Sequence, residues 1–229
     1  QGRKTGDNTF TLETLINGAV NTVFEGFDAI MAKVPFTGDM KDAADLVAVD
    51  PSGNVIKRSF YENGKMYVAV NNTSGTFTIV EKSAQRFDDV NHPWAESAIS
   101  GLANRKIING VGNNNFDPDA NLTRAQFVTM IAEMFNVVDT TATADYSDVD
   151  SSAWYAPYVA TAQKYKFATG YEDGTFRPDA SITREEMASM LFRACDVLNV
   201  EVPSTSSTTT YPDDSDISDW AKAHVYKMQ

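Results

Sequence analysis

Two arginines sit in the same setting sixty residues apart. Arg124 follows Thr123 and Arg184 follows Thr183, and Gln126 or Glu186 comes two residues later. A Thr with Gln or Glu three residues on is a capping box: the Thr oxygen accepts from the backbone of the first helical turn, and the amide or carboxylate reaches back to the cap. The spacing predicts helices that start within two residues of Thr123 and Thr183. The free N–H groups of a first turn and the helix dipole attract an anion. A guanidinium beside them can grip a carboxylate through two parallel bonds. Thr123, Arg124, Thr183 and Arg184 are therefore candidates for binding an anionic ligand, although the arginines could instead pair with acidic neighbours.

Trp94 and Trp154 are also related by sixty residues. An indole offers a flat apolar face to a sugar ring, but each Trp also opens an amphipathic stretch and could serve as packing. Gly110 and Gly170 would let a ligand approach the backbone closely, or could be turn or cap glycines. Phe116 and Phe176 read as core. No GxSxG element, Cys–His pair or zinc spacing occurs. His92 and His224 fall at non-equivalent repeat positions. Cys195 lies on an apolar helical stripe and reads as a buried hydrophobe. No catalytic residue, metal ligand or cofactor is assigned.

These residues belong to a repeat. Phe87-Asp88-Asp89-Val90 recurs as Tyr146-Ser147-Asp148-Val149, and Phe116-Asp117-Pro118-Asp119-Ala120 as Phe176-Arg177-Pro178-Asp179-Ala180. From the Trp onward the offset is sixty without a gap. A third copy opens at Tyr211 and reaches Trp220, and its second half is not in the sequence. Such self-similarity decides architecture before any local propensity does. Each copy reads as helix, loop, helix: Ala95, Ala98, Ile99, Leu102 and Ala103 in a first helix, and Phe127, Met130, Ile131, Met134 and Phe135 in a second. Met187, Met190, Leu191, Ala194 and Cys195 repeat the second stripe. A helix from about Trp220 should dock through Ala221, Val225 and Met228. The polar segments 139–144 and 203–210 read as exposed linkers.

The N-terminal third reads mainly as β. Phe10-Thr11-Leu12 suggests a strand, and Leu15-Ile16, Ala19-Val20 and Val23-Phe24 suggest a short helix. Residues 29–36, 46–49, 55–61, 65–70 and 76–80 are strand-like, and Asn63-Gly64 is a strong hairpin signal. The expected fold is α+β and multidomain: a small antiparallel β domain over 1–83, then repeats over 84–140, 141–203 and 204–229.

The formal charge is −12, and residues 1–83 contribute only −2 of it. An acidic chain lacks the positive footprint that nucleic acid requires. No apolar run is long enough to span a bilayer, so no membrane insertion is expected. The first residues lack the basic-then-apolar pattern of a signal peptide, which fits a removed signal or an internal fragment. A paired calcium-loop module is a poor fit, because Asn113-Asn114-Asn115 and Tyr171-Glu172-Asp173-Gly174 lack the alternating acidic ligands.

The repeat resembles the surface-layer homology (SLH) module. The resemblance rests on Phe87 to Val90, Trp94, Gly110, Phe116, Pro118 and Thr123-Arg124-Ala125-Gln126, with their equivalents from Tyr146 to Glu186. It implies an all-α, pseudo-threefold bundle whose third prong is incomplete here. It implies grooves that bind secondary cell-wall polysaccharide, commonly through a pyruvylated sugar, with Arg124, Arg184, Trp94, Trp154, Gly110, Gly170, Thr123 and Thr183 as contacts. It also implies a secreted, non-catalytic anchor on the cell wall. If the third-copy helix docks without its second half, an apolar face stays open, and self-association through the incomplete third repeat is expected. The alternative is a fragment of a larger cell-bound, glycan-active enzyme.

Overall fold

The computed structural model describes residues 2–6, 8–12, 14–16, 19–21, 30–36, 38, 42–70, 75–202 and 210–228. The fold is α+β, and it divides into two compact units: Gln1–Ala120 with Met134–Asn136, and Asn121–Glu133 with Val137–Gln229.

The first unit is built on antiparallel sheets. Strands β1 (Gly2–Gly6), β2 (Thr9–Leu12), β9 (Thr76–Glu81) and β6 (Leu46–Val49) form one sheet in the order β1-β2-β9-β6. Strands β5 (Ile30–Pro35), β8 (Lys65–Val70) and β7 (Ser59–Glu62) form another, in the order β5-β8-β7. Their alternating apolar residues meet in one core: Phe10, Leu46, Ala48, Phe77 and Ile79 with Ala32, Met66, Val68 and Val70. Phe10 and Phe77 stack at 5.7 Å. Thr9–Thr78 and Thr11–Thr76 bond across the strands at 3.0 and 2.9 Å, which pins the register. The β7–β8 hairpin turns at Asn63 and Gly64, with φ of 50° and 77°, as a two-residue primed turn requires.

Two local expectations fail here. Leu15-Ile16 and Ala19-Val20 form not a helix but a hairpin of β3 (Thr14–Ile16) and β4 (Ala19–Asn21). Short apolar pairs fit either period, and β-branched residues tip these toward strands. Val23-Phe24 lies outside the described residues. The 55–61 strand pairs only from Ser59; before it, Asp50 Oδ1 accepts from Ser52 and Asn54 N–H and closes a turn, leaving Val55 a lone bridge to Val49.

Helix α1 (Pro93–Asn104) completes this unit, and the face its apolar periodicity picks out is only partly covered: Ala95 is buried, and Ile99, Leu102 and Ala103 are half-buried. Ala98 is exposed, while Ser100, Gly101, Asn104 and the following Arg105 are buried. Asn104 donates to the carbonyls of Ala44 (3.1 Å) and Lys82 (2.8 Å). Arg105 donates to the carbonyls of Ser59, Gly101 and Leu46. Burial holds the Arg105 pKa down at about 10. Arg86 adds ion pairs to Asp42 and Asp45 at 2.9 and 3.2 Å.

The second unit holds α3 (Ala156–Tyr165), α4 (Arg184–Val197) and α5 (Asp219–Lys227), with most of α2 (Arg124–Phe135). In α2 the deepest positions are Ala125, Val128, Ile131, Ala132 and Phe135, so the buried face is turned toward smaller residues than expected. Ala125 and Ala132 allow a close approach that bulkier side chains would prevent; Phe127, Met130 and Met134 are half-buried at the flank. Cys195 is buried, as are Met190 and Ala194 beside it. Helix α5 starts at Asp219 and docks on α4: Ala221 is fully buried, and His224 stacks on Phe192 at 5.0 Å. Val225 and Met228 are half-buried. Glu185 of α4 accepts from Ser218 N–H and Oγ–H at 2.9 and 3.0 Å, anchoring the start of α5. Asp139, at the start of the polar segment before repeat 2, pairs with Lys164 and so is fastened rather than free. Segment 203–209 lies outside the described residues.

Candidate functional site

Both capping boxes are formed. Gln126 N–H donates to Thr123 Oγ1 at 3.2 Å, and Thr123 N–H to Gln126 Oε1 at 2.9 Å. Glu186 N–H donates to Thr183 Oγ1 at 3.3 Å, and Thr183 N–H to Glu186 Oε2 at 2.9 Å. Helices α2 and α4 accordingly begin at Arg124 and Arg184.

The two arginines, alike in sequence, differ in surroundings. Arg124 is 3% exposed. Its Nε donates to Phe176 O at 2.9 Å, Nη1 to Glu186 Oε1 at 2.7 Å and Nη2 to Thr169 O at 3.2 Å. Its guanidinium lies 4.7 Å from the Tyr171 ring centre and 5.0 Å from that of Phe176. Arg184 is exposed. Glu186 therefore serves three groups: it caps α4, pairs with Arg124 and accepts from the Tyr171 hydroxyl at 2.8 Å. Burial, then the bond to Glu186, raises the Tyr171 pKa. Removing one partner of so enclosed an ion pair costs about 3–5 kcal/mol, because the other charge is left unpaired.

The loops between helices are shaped by residues that sequence reasoning passed over. Asp89 accepts from the N–H of Phe116 and Asp117, and Asp148 from the N–H of Phe176 and Arg177. Burial opposes ionisation of Asp89, but these N–H donors outweigh it and hold its pKa below the ordinary value. The signal was an Asp at the same motif position in both copies, 27 residues before Phe116 in one and 28 before Phe176 in the other. Asp173 is held at a pKa of about 2 by the Thr175 hydroxyl and then Arg177. The guanidinium of Arg177 lies 3.9 Å from the Tyr171 ring centre.

Gly110 and Gly170 have a steric reason. A Cβ on Gly110 would sit 2.5 Å from Asn115 O and 2.6 Å from the Phe87 ring. On Gly170 it would sit 2.4 Å from the Tyr146 ring and 2.5 Å from Thr175 O. Each glycine lets the aromatic that opens its repeat close over the loop. Those aromatics pack onward, Phe87 on Phe116 and Tyr146 on Phe176, both at 5.4 Å. Phe176 is fully buried and Phe116 half-buried.

The tryptophans behave oppositely. Trp94 is 84% exposed, Trp154 59% and Trp220 52%. Trp154 meets Tyr155 edge-on at 5.4 Å, and Trp94 lies 6.2 Å from the His92 ring. The structure thus gathers Arg124, Thr169 next to Gly170, and Phe176 into one network. Among the described residues no hydrogen bond or ion pair joins Trp154 or Arg184 to it. No group of three or more His, Cys, Asp or Glu arranged to hold a metal occurs among the described residues.

Residues 86–128 and 145–188 match the family model of the S-layer homology domain. The chain is 39% identical over 137 residues to the amylopullulanase of Thermoanaerobacterium thermosulfurigenes, covering 59% of this chain and 7% of that protein. It is 32% identical over 214 residues to the exoglucanase XynX of Acetivibrio thermocellus, covering 93% of this chain and 18% of that protein. It is 31% identical over 138 residues to the S-layer protein sap of Bacillus anthracis, covering 59% of this chain and 16% of that protein. The chain therefore spans a small part of the length of each of these relatives.

Proposed function

As the chain carries two tandem S-layer homology domains and through them belongs to that family, we propose that it anchors a protein non-covalently to a bacterial cell wall by binding secondary cell-wall polysaccharide. In this reading the chain acts outside the cell, at the cell surface, and the repeats are non-catalytic. The glycan is anionic, with pyruvylated sugars. The helical repeats form a pseudo-threefold bundle.

What carries the reading is the exposure of Trp94, Trp154 and Trp220 at one repeat position. Leaving a large apolar side chain in solvent forgoes roughly 1.5–3 kcal/mol of burial. The other motif aromatics do pack, so the tryptophans are spared for a ligand, and an indole face suits a sugar ring. Exposed Arg184 supplies the cation for the glycan's carboxylates. Arg124 contributes by fixing the repeat 2 loop, and Gly110, Gly170, Thr123 and Thr183 shape the backbone around it.

The test is binding to purified wall polysaccharide with and without its pyruvate groups. Trp94→Ala with Trp154→Ala should abolish retention of a folded chain. Arg184→Ala should weaken binding roughly tenfold to a hundredfold, the loss of a charge-assisted bond of about 1.5–3 kcal/mol. Equal binding by these folded variants, or indifference to pyruvate, would sink the proposal. A second reading is favoured by the match to the exoglucanase, which runs through the N-terminal unit as well as the repeats: the chain is the anchoring part of a larger cell-bound, glycan-active enzyme. Turnover of wall glycan by this chain alone would place catalysis within it.

A further inference from the structure

The sheet β5-β8-β7 has a packed face and an open one. Alternation along its strands sends Ala32, Met66 and Val68 into the core, and their chain neighbours to the other side. There the register sets Lys33 opposite Tyr67, and Tyr67 opposite Phe60. The three side chains make a stack that runs across the sheet. Lys33 Nζ lies 4.9 Å from the Tyr67 ring centre. The Tyr67 and Phe60 rings are 3° from parallel, with their centres 4.6 Å apart.

Rings this close and this parallel meet face to face. Tyr67 therefore has the ammonium on one face and Phe60 on the other. The second face of Phe60 turns away from Tyr67 on β7, the outer strand of the sheet, and Phe60 is 46% exposed. Met31, two residues from Lys33 on the same side of β5, is 45% exposed. The stack is already assembled, so a ligand that used it would order little side chain. Of the strand residues on this face, Lys33, Lys65 and Glu62 are charged. The face is thus locally positive in a chain of net charge −12.

Size and charge together choose the occupant. Three residues in register across three strands span roughly 10 Å, the reach of about two sugar rings. A protein partner covers on the order of 800 Å² on each side, far more than this face offers. A sugar ring brings C–H groups to an aromatic face, and an acidic sugar adds a carboxylate that a lysine ammonium can bond. A few charged groups beside an apolar surface fix the orientation of such a ligand. We propose that the N-terminal unit carries a carbohydrate site of its own on this face, for an acidic sugar chain. One ring packs on the free face of Phe60, and carboxylates meet Lys33 and Lys65. The site uses no residue of the repeats and does not rest on their binding glycan.

The experiment titrates the full chain, isotope-labelled in its amides and methionine methyls, with an oligogalacturonate trimer, followed by two-dimensional NMR. Saturating shifts are expected at Met31, Lys33, Phe60 and Tyr67, and added salt should weaken the binding. A neutral glucose trimer should shift the same residues far less. Phe60→Leu keeps an apolar side chain on the strand without a flat ring, so it should fold. It should bind roughly tenfold more weakly, because the ring face is most of the apolar contact. Phe60→Trp should keep the binding, and Lys33→Gln should lower both the affinity and its dependence on salt. The proposal is overturned if these residues show no saturating shift, if the neutral trimer binds as well as the acidic one, or if Phe60→Leu binds like the parent. An acidic hexapeptide that shifts these residues where the sugar does not would make the partner a protein, and would overturn it too. The shifts are read residue by residue, so failure of the repeats to bind wall glycan would leave this result standing.

Discussion

Helices α1 and α3 hold the same place in the motif and bury opposite chemistry. Sixty residues separate Ser100 from Ala160, Gly101 from Thr161, Asn104 from Lys164 and Arg105 from Tyr165. In α3 the covered face is small and largely apolar, with Val159, Ala160, Thr161 and Ala162 all fully buried or nearly so. In α1 the covered face is polar, and its bonds go to backbone carbonyls of the β unit. The motif residues set the local shape of a repeat: the Asp clamp, the glycine under the aromatic, the capping box. What a helix faces is set by residues outside the motif, which are free to differ between copies.

The largest expected effect breaks this contrast at its centre. Arg105→Ala should destabilise the chain by about 3–5 kcal/mol, since it opens a cavity and takes the donor from the Ser59 and Leu46 carbonyls. Tyr165→Ala, at the equivalent position, should cost only about 1 kcal/mol. Chemical denaturation of both variants measures the difference, and equal losses would remove the distinction between the two helices.

A smaller effect should fall equally on both copies. Gly110→Ala and Gly170→Ala each drive a methyl into a carbonyl and an aromatic ring, for about 1–3 kcal/mol of overpacking. Thermal melts should show similar losses. A strongly unequal pair would mean that the shared motif is not held in the same way in the two repeats.

The smallest effect extends the comparison to α5, the corresponding helix of the third copy. Burial, and then Arg193, lowers the His224 pKa from its ordinary value of 6.5. Its Nδ1 is buried without a partner among the described residues, so a proton there would be unsatisfied. A base whose folded pKa is depressed contributes its stability in full above 6.5, and loses it as pH falls through the folded value. Mild acid should therefore loosen α5 from α4, read as a change in Trp220 fluorescence. His224→Phe should flatten that response.

Much of this was legible in the sequence, because it is local. The capping boxes set the starts of α2 and α4 within a residue, Asn63-Gly64 marked its hairpin, and Ala221 and Cys195 lie buried as their stripes require. What could not be read is non-local. Nothing near Arg124 or Arg184 in the chain distinguishes them; Arg124 is enclosed because Phe176, Thr169 and Glu186 arrive from the following repeat. The polar face of α1 was missed for a related reason. Hydrophobic periodicity finds the side that avoids water, and Asn104 and Arg105 avoid water by bonding to carbonyls sixty and fifty-nine residues earlier.

The way Asn104 and Arg105 are bonded also has a mechanical side. Asn104 spans Ala44 and Lys82, and Arg105 spans Ser59 and Leu46. A tug on the chain where the sheet passes into α1 loads these bonds side by side, and they must fail together rather than unzip in turn. That passage is a stiff coupling and not a swivel, so under flow or shear a twist applied to the sheet is handed on to the first helix instead of being dissipated in slack chain.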